Sequence, residues 1–385
     1  MITSQSILEE LHVGFYPHSL GLEHLKRKSN WETELKICSD SVAPNLNDFP
    51  TTRFYGSKRR QLQWLASELK HLKGITALDA FGGTGAVSFL LNRLGWRVTY
   101  NDIFEFNVVS ARAIFGENEK LISQSELSDF LGRIRPFDGF ITQTFPDLYF
   151  TNDENRWLDG AMIQLQNLDA QRKNVLLYLI FQACLKKRPF NLFHRANLHL
   201  RSSQVPVKFG NRTTWNKTFG EHIYTSYADL CKLDRSELNA VSINDPTCAK
   251  EISGGFDLIY VDPPYFKKSK AKTDTYLQRY HFLEGLARYS EWNSLIDFSS
   301  PIKSMKFPYR NEIVRKTSLI SDLERLVSQH ANSSFILSYV SDEDPTEEEL
   351  YSFFKKNFDK VRLSRRSFNK VLSNKKSFEL LLIGR

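Results

Sequence analysis

The segment with the clearest chemistry is Asp262-Pro263-Pro264-Tyr265, which directly follows the apolar stretch Leu258 to Val261. This apolar, β-branched stretch predicts a buried strand. The two prolines cannot continue a strand ladder, and they stiffen the backbone where the strand ends. The sequence therefore places a carboxylate and an aromatic ring at the carboxyl end of a strand, where open α/β sheets bind ligands.

This grouping can hold and activate an aromatic amine such as the N6 amino group of adenine. The lone pair of such an amine is delocalised into the ring, so the nitrogen is a poor nucleophile. The Asp262 carboxylate and the Pro263 carbonyl can accept both amino hydrogens and push the nitrogen toward tetrahedral geometry. Tyr265 offers a face on which the base can stack, worth about 1–3 kcal/mol. The alternative is a structural proline-rich turn, and the rest of the chain argues against it.

A glycine-rich turn lies between two further predicted strands, 76–79 and 97–100, with a helix over 86–94 in between. The second strand ends at Asn101-Asp102, so the unit has the βαβ pattern and terminal acid typical of nucleoside-binding sites. Asp102 can accept both ribose hydroxyls. The alternative is a turn that serves packing alone. The candidate cofactor residues of the turn are Asp79, Phe81, Gly82, Gly83, Thr84 and Gly85.

Two shorter segments add candidates to the same site. Arg53 to Lys58 contains a Gly-Ser turn before an apolar helical pattern, which predicts an anion site at a helix start or, alternatively, only a basic loop. A predicted strand over 241–243 ends at Asn244-Asp245.

The excess positive charge of the chain lies in one segment. The formal net charge is +8, and residues 186–217 contain eight cations and no acid. Arginine, asparagine and glutamine side chains in such a segment can contact phosphates and base edges. The segment therefore predicts a nucleic-acid contact, although a charge run can also be only a solvated face. The candidate residues are Lys186, Lys187, Arg188, Asn191, His194, Arg195, Asn197, Arg201, Lys208, Arg212 and Lys217.

Composition limits the class of protein. The chain has 385 residues, 41% of them hydrophobic, which suffices for a folded α/β core. No apolar run reaches the roughly 20 residues of a membrane span, and the N-terminus lacks an apolar secretory segment. Four scattered cysteines indicate reduced thiols, and neither the cysteines nor the histidines have metal-ligand spacing. We therefore expect a cytoplasmic protein without a metal site or membrane contact.

The order of these segments resembles that of S-adenosylmethionine-dependent DNA adenine-N6 methyltransferases of the α group, or Dam type (D12 class). The resemblance covers residues 50–385. It implies a Rossmann-like class I methyltransferase sheet with an inserted target recognition domain. The implied division is an N-terminal extension (1–50), a catalytic domain (51–131 with 240–385) and a recognition domain (132–239).

The resemblance also implies roles for the residues. Phe54 and Lys58 would flank the methionine end of S-adenosyl-L-methionine, Phe81 to Gly85 would wrap it, and Asn244 or Asp245 would lie near its adenine. Asp262, Pro263, Pro264 and Tyr265 would hold the target base. The segments 195–198 and 205–210 resemble the DNA-reading hairpin only loosely, so the recognised sequence need not be the Dam-type one, and Arg53 would also contact DNA.

The function implied is methyl transfer to a flipped adenine in double-stranded DNA, in the enzyme class of site-specific adenine-specific DNA methyltransferases. A restriction-modification role adds a cognate restriction endonuclease as a further partner. Three alternatives stay open at this point. They are methylation of cytosine N4 or of an RNA base, a nicotinamide-dependent oxidoreductase, and a nucleic-acid-binding subunit without turnover.

Overall fold

The computed structural model describes residues 45–116, 121–202, 212–267, 275–306, 318–369 and 376–385. The predicted N-terminal extension, apart from 45–50, lies outside the described residues, as does Lys208. The strands are β1 (Thr76–Asp79), β2 (Arg97–Tyr100), β3 (Ser242–Ile243), β4 (Leu258–Val261), β5 (Phe266–Lys267), β6 (Ser334–Val340), β7 (Glu343–Asp344), β8 (Val361–Asn369) and β9 (Lys376–Gly384).

Seven of these strands form one sheet in the order β3-β2-β1-β4-β6-β9-β8. The neighbours from β3 to β6 are parallel, whereas β9 runs antiparallel to both β6 and β8. The short strands β5 and β7 pair antiparallel beside it. The expected α/β class with a mostly parallel sheet is therefore confirmed, and it is consistent with a class I methyltransferase fold.

Helices cover both faces of the sheet, which explains why its inner strands are apolar at nearly every position. On β4, Leu258 and Tyr260 join one hydrophobic cluster, while Ile259 and Val261 join the other. The helices are α1 (Leu62–Leu69), α2 (Ala86–Arg93), α3 (Glu105–Phe115), α4 (Gln124–Arg133), α5 (Phe140–Thr144), α6 (Asn152–Gln166), α7 (Ala170–Lys187), α8 (His199–Ser202), α9 (Arg212–Asn216), α10 (Phe219–Leu230), α11 (Tyr276–Ala287), α12 (Trp292–Leu295), α13 (Leu319–Gln329) and α14 (Glu347–Asn357).

The helices between β2 and β3 interrupt the βαβ pattern, as the sequence predicts. Helix α7 is buried along most of its length and packs against α3 and α10. Its aromatic residues share one hydrophobic cluster with α2 and α3. The predicted recognition domain and the sheet therefore have a common core, and a boundary between them stays a prediction.

The last elements form as their sequences predict. The Thr346 side chain accepts a hydrogen bond from the Glu349 N–H, and the Glu349 carboxylate accepts one from the Thr346 N–H, so α14 begins with the expected capping box. Strands β8 and β9 pair antiparallel, as expected, and each extends beyond its apolar run. Among the described helices, none is long and apolar enough to cross a membrane.

Candidate functional site

The parallel strands bring the predicted site residues to one edge of the sheet. Asp102 follows β2, Asn244 follows β3 and Asp262 follows β4, while Asp79 is the last residue of β1. Carboxyl ends of parallel strands lie at the same edge, which is where open α/β sheets form a crevice. Residues predicted separately from four segments of the sequence therefore lie at the same edge of the sheet.

At the centre of this edge, Asp262 belongs to a buried polar cluster. Lys58, only 4% exposed, forms an ion pair with Asp262, with 3.1 Å between Nζ and Oδ1. The Tyr265 hydroxyl donates to the same Oδ1 at 2.7 Å. Lys58 also donates to the Tyr265 hydroxyl. The prolines therefore place Asp262 and Tyr265 in mutual contact, and Lys58 joins them from a 3-10 helix in the segment before α1.

A fourth member, Glu379, is absent from the predicted site. Its Oε1 pairs with Lys58 and lies 3.2 Å from the Tyr265 hydroxyl and 3.2 Å from Ser338 Oγ. Glu379 lies on β9, far from every motif in the sequence. The one available signal is a carboxylate in an otherwise apolar strand segment, Phe378 to Ile383.

Lys58 is fully engaged by this cluster. Its ammonium has three N–H groups, and Asp262, Glu379 and the Tyr265 hydroxyl are three acceptors for them. Burial lowers the pKa of Lys58, but the two carboxylates outweigh it and hold the pKa above its usual value. All three N–H groups of Lys58 are therefore engaged beside Asp262.

The two oxygens of Asp262 have different surroundings. Oδ1 contacts Lys58 and Tyr265, whereas no hydrogen bond to Oδ2 occurs within the described residues. The side chain retains 17% exposure. Burial raises the pKa of Asp262, Lys58 opposes this shift, and the Glu379 charge adds to it. One oxygen is thus fixed by the protein and the other is available as an acceptor.

The glycine-rich turn is tied to β2 by hydrogen bonds. Asp102 accepts the Gly83 N–H at Oδ2 (2.9 Å) and the Phe104 N–H at Oδ1 (2.8 Å). The Tyr100 hydroxyl donates to the Gly83 carbonyl at 2.8 Å. The Tyr100 ring lies so close to Gly82 that a Cβ there would be 2.1 Å from it. Asp102 therefore fixes the shape of the turn, in addition to any contact with a ligand.

Asp79 presents an unsatisfied acceptor beneath this turn. The Ser88 hydroxyl donates to Oδ2 at 2.7 Å, while Oδ1 is buried without a partner. Burial raises the pKa of Asp79 to about 7; the Ser88 bond opposes the shift, and the charges of Asp262 and Asp102 add to it. A buried acceptor among three carboxylates suits a ligand that carries positive charge and N–H or O–H donors.

An aromatic group lies beside the cluster. Phe54 stacks on Tyr280 with ring centroids 4.6 Å apart, and it also contacts Tyr276. The Tyr280 hydroxyl accepts the Tyr55 N–H, and the Tyr276 hydroxyl donates to the Tyr55 carbonyl. Helix α11 therefore holds the 54–58 segment, and Ser57 Oγ lies 3.2 Å from Thr84 Oγ1 of the glycine-rich turn.

The remaining members of the predicted cofactor set differ in exposure. The Asn244 side chain is half-buried and donates to Asn101 Oδ1 at 3.2 Å. Asp245 is 89% exposed and pairs with Arg112 of α3. Phe81 is half-buried and packs on the cluster around α13 and α14. Tyr265 is half-buried, and its ring contacts Tyr339 edge-on with 5.0 Å between centroids.

The basic segment divides into exposed and buried residues. Arg188 is fully buried and donates to the carbonyls of Tyr149, Leu192, Arg195 and Ala196. Lys187 is 2% exposed and forms an ion pair with Glu154 at 2.7 Å. Arg201 pairs with the same carboxylate. The charged groups of Lys187 and Arg188 therefore contact the protein interior, and the prediction that these two residues contact DNA stays a prediction.

Other cations of the predicted interface reach the surface. Arg53, Arg195 and Lys217 are exposed. Burial lowers the pKa of Lys186 to about 8, Asp229 opposes this shift, and the charges of Arg53 and Lys217 strengthen it. Arg53 and Lys217 therefore lie near Lys186, and these three residues form what we call the basic patch. Four other predicted contacts are half-buried, namely Asn191, His194, Asn197 and Arg212.

Comparison with known proteins shows the family of this chain. Residues 54–323 match the family of D12 class N6 adenine-specific DNA methyltransferases. The chain is 25% identical over 324 residues to the type II methyltransferase M2.HphI of Haemophilus parahaemolyticus, covering 81% of this chain and 90% of that protein. It is 23% identical over 306 residues to the type II methyltransferase M.NlaIII of Neisseria lactamica, covering 74% and 82%. The chain therefore belongs to the D12 class of N6 adenine-specific DNA methyltransferases.

Proposed function

We propose that this chain transfers a methyl group from S-adenosyl-L-methionine to the N6 amine of an adenine flipped out of duplex DNA. The observation that carries the proposal is the asymmetry of Asp262. Its Oδ1 is fixed by Lys58 and Tyr265, and its Oδ2 is free within the described residues. Oδ2 and the Pro263 carbonyl would accept the two amino hydrogens and localise the nitrogen lone pair.

The target adenine must leave the duplex before it can reach this site. An adenine inside a duplex is out of reach, and extruding it costs a few kcal/mol. Stacking on Tyr265 and hydrogen bonds to Asp262 and Pro263 would offset that cost. After methyl transfer the nitrogen carries an extra proton, which leaves it in a later step.

The cofactor would lie along the glycine-rich turn. When bound, S-adenosyl-L-methionine supplies an electrophilic methyl group on a positively charged sulfur. The carboxylates of Asp79, Asp102 and Asp262, the first two of them buried, suit such a cationic ligand, and the unpartnered Oδ1 of Asp79 is an acceptor for its donors. Phe54 and the turn residues 81–85 complete the expected contacts.

Asp102→Asn tests the cofactor assignment. We expect the affinity for S-adenosyl-L-methionine to fall about tenfold or more, because the amide removes an ionised acceptor and disturbs the Gly83 and Phe104 N–H bonds. Asp257→Asn is the matched control. Asp257 accepts the Ile75 and Thr76 N–H groups at 2.7 and 2.9 Å, but at the opposite edge of the sheet. Isothermal titration calorimetry of both variants would contradict the assignment if their affinities matched.

Double-stranded DNA is the proposed substrate, and we propose that the basic patch forms part of the DNA-binding surface. Arg53 and Lys217 are exposed cations near Lys186, which suits contacts to DNA phosphates. The recognition role of residues 132–239 is part of the proposal, with Arg195 as an exposed arginine of the basic segment. Both relatives are type II methyltransferases, which supports a role as the modification enzyme of a restriction-modification system with a cognate endonuclease.

Identification of the methylated nucleoside tests the whole proposal. The protein is incubated with methyl-labelled S-adenosyl-L-methionine and unmethylated duplex DNA, and the DNA is digested to nucleosides. We expect label in N6-methyladenine. Label in N4-methylcytosine would change the base and keep the site chemistry, label on RNA would change the substrate, and tight DNA binding without label would indicate a non-catalytic subunit.

A further inference from the structure

Glu379 is a buried carboxylate that the chemistry at Asp262 leaves unexplained. It lies on β9 and is 4% exposed. Its Oε1 accepts from Lys58, lies 3.2 Å from the Tyr265 hydroxyl and accepts from Ser338 Oγ at 3.2 Å. The cluster thus contains one cation, Lys58, and two carboxylates, Asp262 and Glu379.

The third charge is not needed to neutralise the cluster. Lys58 and Asp262 alone would form a neutral pair, and Glu379 adds one net negative charge in the interior. Removing an ion from water carries a free-energy penalty. A neutral glutamine could accept the same hydrogen bonds from Lys58 and Ser338. A carboxylate buried against both Lys58 and the Tyr265 hydroxyl therefore indicates a role in the site.

The contacts of Glu379 suggest what that role is. Lys58 and Tyr265 each contact one oxygen of Asp262 and one oxygen of Glu379. Tyr265 has a single hydroxyl hydrogen, and Lys58 divides its N–H groups between the two carboxylates. Without the Glu379 charge, the ammonium of Lys58 would have Asp262 as its one carboxylate partner within the cluster and could occupy both of its oxygens.

We propose that Glu379 is a positioning residue for methyl transfer, an inference that rests on the proposed function. Glu379 holds Lys58 and Tyr265 on the Oδ1 side of Asp262, so that Oδ2 stays available to accept a hydrogen of the target amine. Sharing the ammonium between two carboxylates also keeps it from neutralising Asp262 completely. The last strand of the chain, β9, thereby contributes to catalysis without touching the base.

The pH dependence of turnover distinguishes this role from a purely structural one. Asp262 must be ionised to accept an amine hydrogen, so activity falls as the pH drops through its pKa. The charge of Glu379 raises the pKa of Asp262, and removing that charge lowers it. The acid limb of kcat/KM should therefore move to lower pH in Glu379→Gln. The ionisable groups that interact with Asp262 are Lys58, Asp79, Tyr260, Tyr265, Tyr276 and Glu379.

Glu379→Gln is the decisive variant. We expect kcat for adenine methylation to fall about 10- to 100-fold, the acid limb to shift downward, and the calorimetric affinity for S-adenosyl-L-methionine to stay unchanged. The matched control is Glu68→Gln. Glu68 also accepts from one cation, Arg362, and one serine hydroxyl, Ser364 Oγ at 2.8 Å, but it links α1 to β8. This control should retain the wild-type kcat and pH profile.

Several results would overturn the inference. If Glu379→Gln keeps the wild-type kcat and the acid limb does not move, Glu379 is structural. If its affinity for S-adenosyl-L-methionine falls as much as its kcat, Glu379 belongs to the cofactor site. If Glu379→Gln unfolds, Ser338→Ala loosens Glu379 and keeps its charge. We expect about threefold lower kcat in that variant, and an unchanged kcat would end the proposal. A wild-type protein that methylates no adenine would instead refute the proposed function itself.

Discussion

Asp262→Ala is expected to lower the rate of adenine methylation by about 10³-fold without loss of the fold. The substitution removes Oδ2, the acceptor proposed for the target amine. It leaves Lys58 paired with Glu379, so the buried ammonium keeps a counter-ion and the cluster becomes neutral. Single-turnover assays with labelled S-adenosyl-L-methionine measure the rate, and calorimetry should find cofactor binding intact.

Asp262→Asn is the informative companion. Its amide oxygen still accepts one hydrogen bond but carries no charge, so we expect a rate between those of the wild type and Asp262→Ala. Equal rates for the alanine variant and the wild type would remove Asp262 from the catalytic mechanism. A loss of cofactor binding that equals the loss of rate would place Asp262 in the cofactor site instead.

Arg188→Met is expected to lower the free energy of unfolding by about 3 kcal/mol. The guanidinium is fully buried and satisfies the carbonyls of four residues. It also lies over the Tyr149 and Phe193 rings, 4.8 and 5.3 Å from their centroids. Methionine fills much of the space but leaves those carbonyls without donors. Urea unfolding followed by circular dichroism measures the difference.

Arg195→Met is the matched control, because Arg195 belongs to the same segment but is exposed. Its unfolding free energy should stay close to that of the wild type. The salt dependence of DNA binding should instead change in Arg195→Met and not in Arg188→Met. For Arg195→Met, the slope of log binding constant against log salt concentration should become shallower by about 0.9, because one phosphate contact is lost. For Arg188→Met, we expect no such change, because Arg188 is buried. Equal destabilisation of the two variants would contradict the structural role of Arg188.

The sequence predicts the elements that depend on local pattern. The buried strand before Asp262, the glycine-rich turn and the end of β2 at Asp102 lie where the apolar runs and the turn residues place them. The antiparallel pair β8 and β9 and the capping box of Thr346 are confirmed for the same reason. Each of these elements is decided by residues near one another in the chain, so periodicity and turn chemistry suffice.

Features that depend on tertiary packing were not predictable in this way. Lys187 and Arg188 look like part of a solvated charge run, but the α7 helix and the turn after it carry them into the interior. There Glu154 and backbone carbonyls are their partners. In the sequence, Glu379 is a single acid in an apolar strand segment, which predicts no role in the site. It lies beside Lys58 because β9 is inserted between β6 and β8.

The position of β9 also bears on how the molecule reaches its active form. Lys58 and Glu379 are separated by 321 positions in the chain, and β9 pairs with β6 and β8 from within the sheet. Closing so long a loop is entropically unfavourable until the intervening elements have formed, and such non-local pairings slow folding. A partly folded chain with β1, β2 and β4 in place would have the glycine-rich turn without the complete cluster around Asp262. Under the role proposed for Glu379, DNA methylation would therefore require the finished sheet.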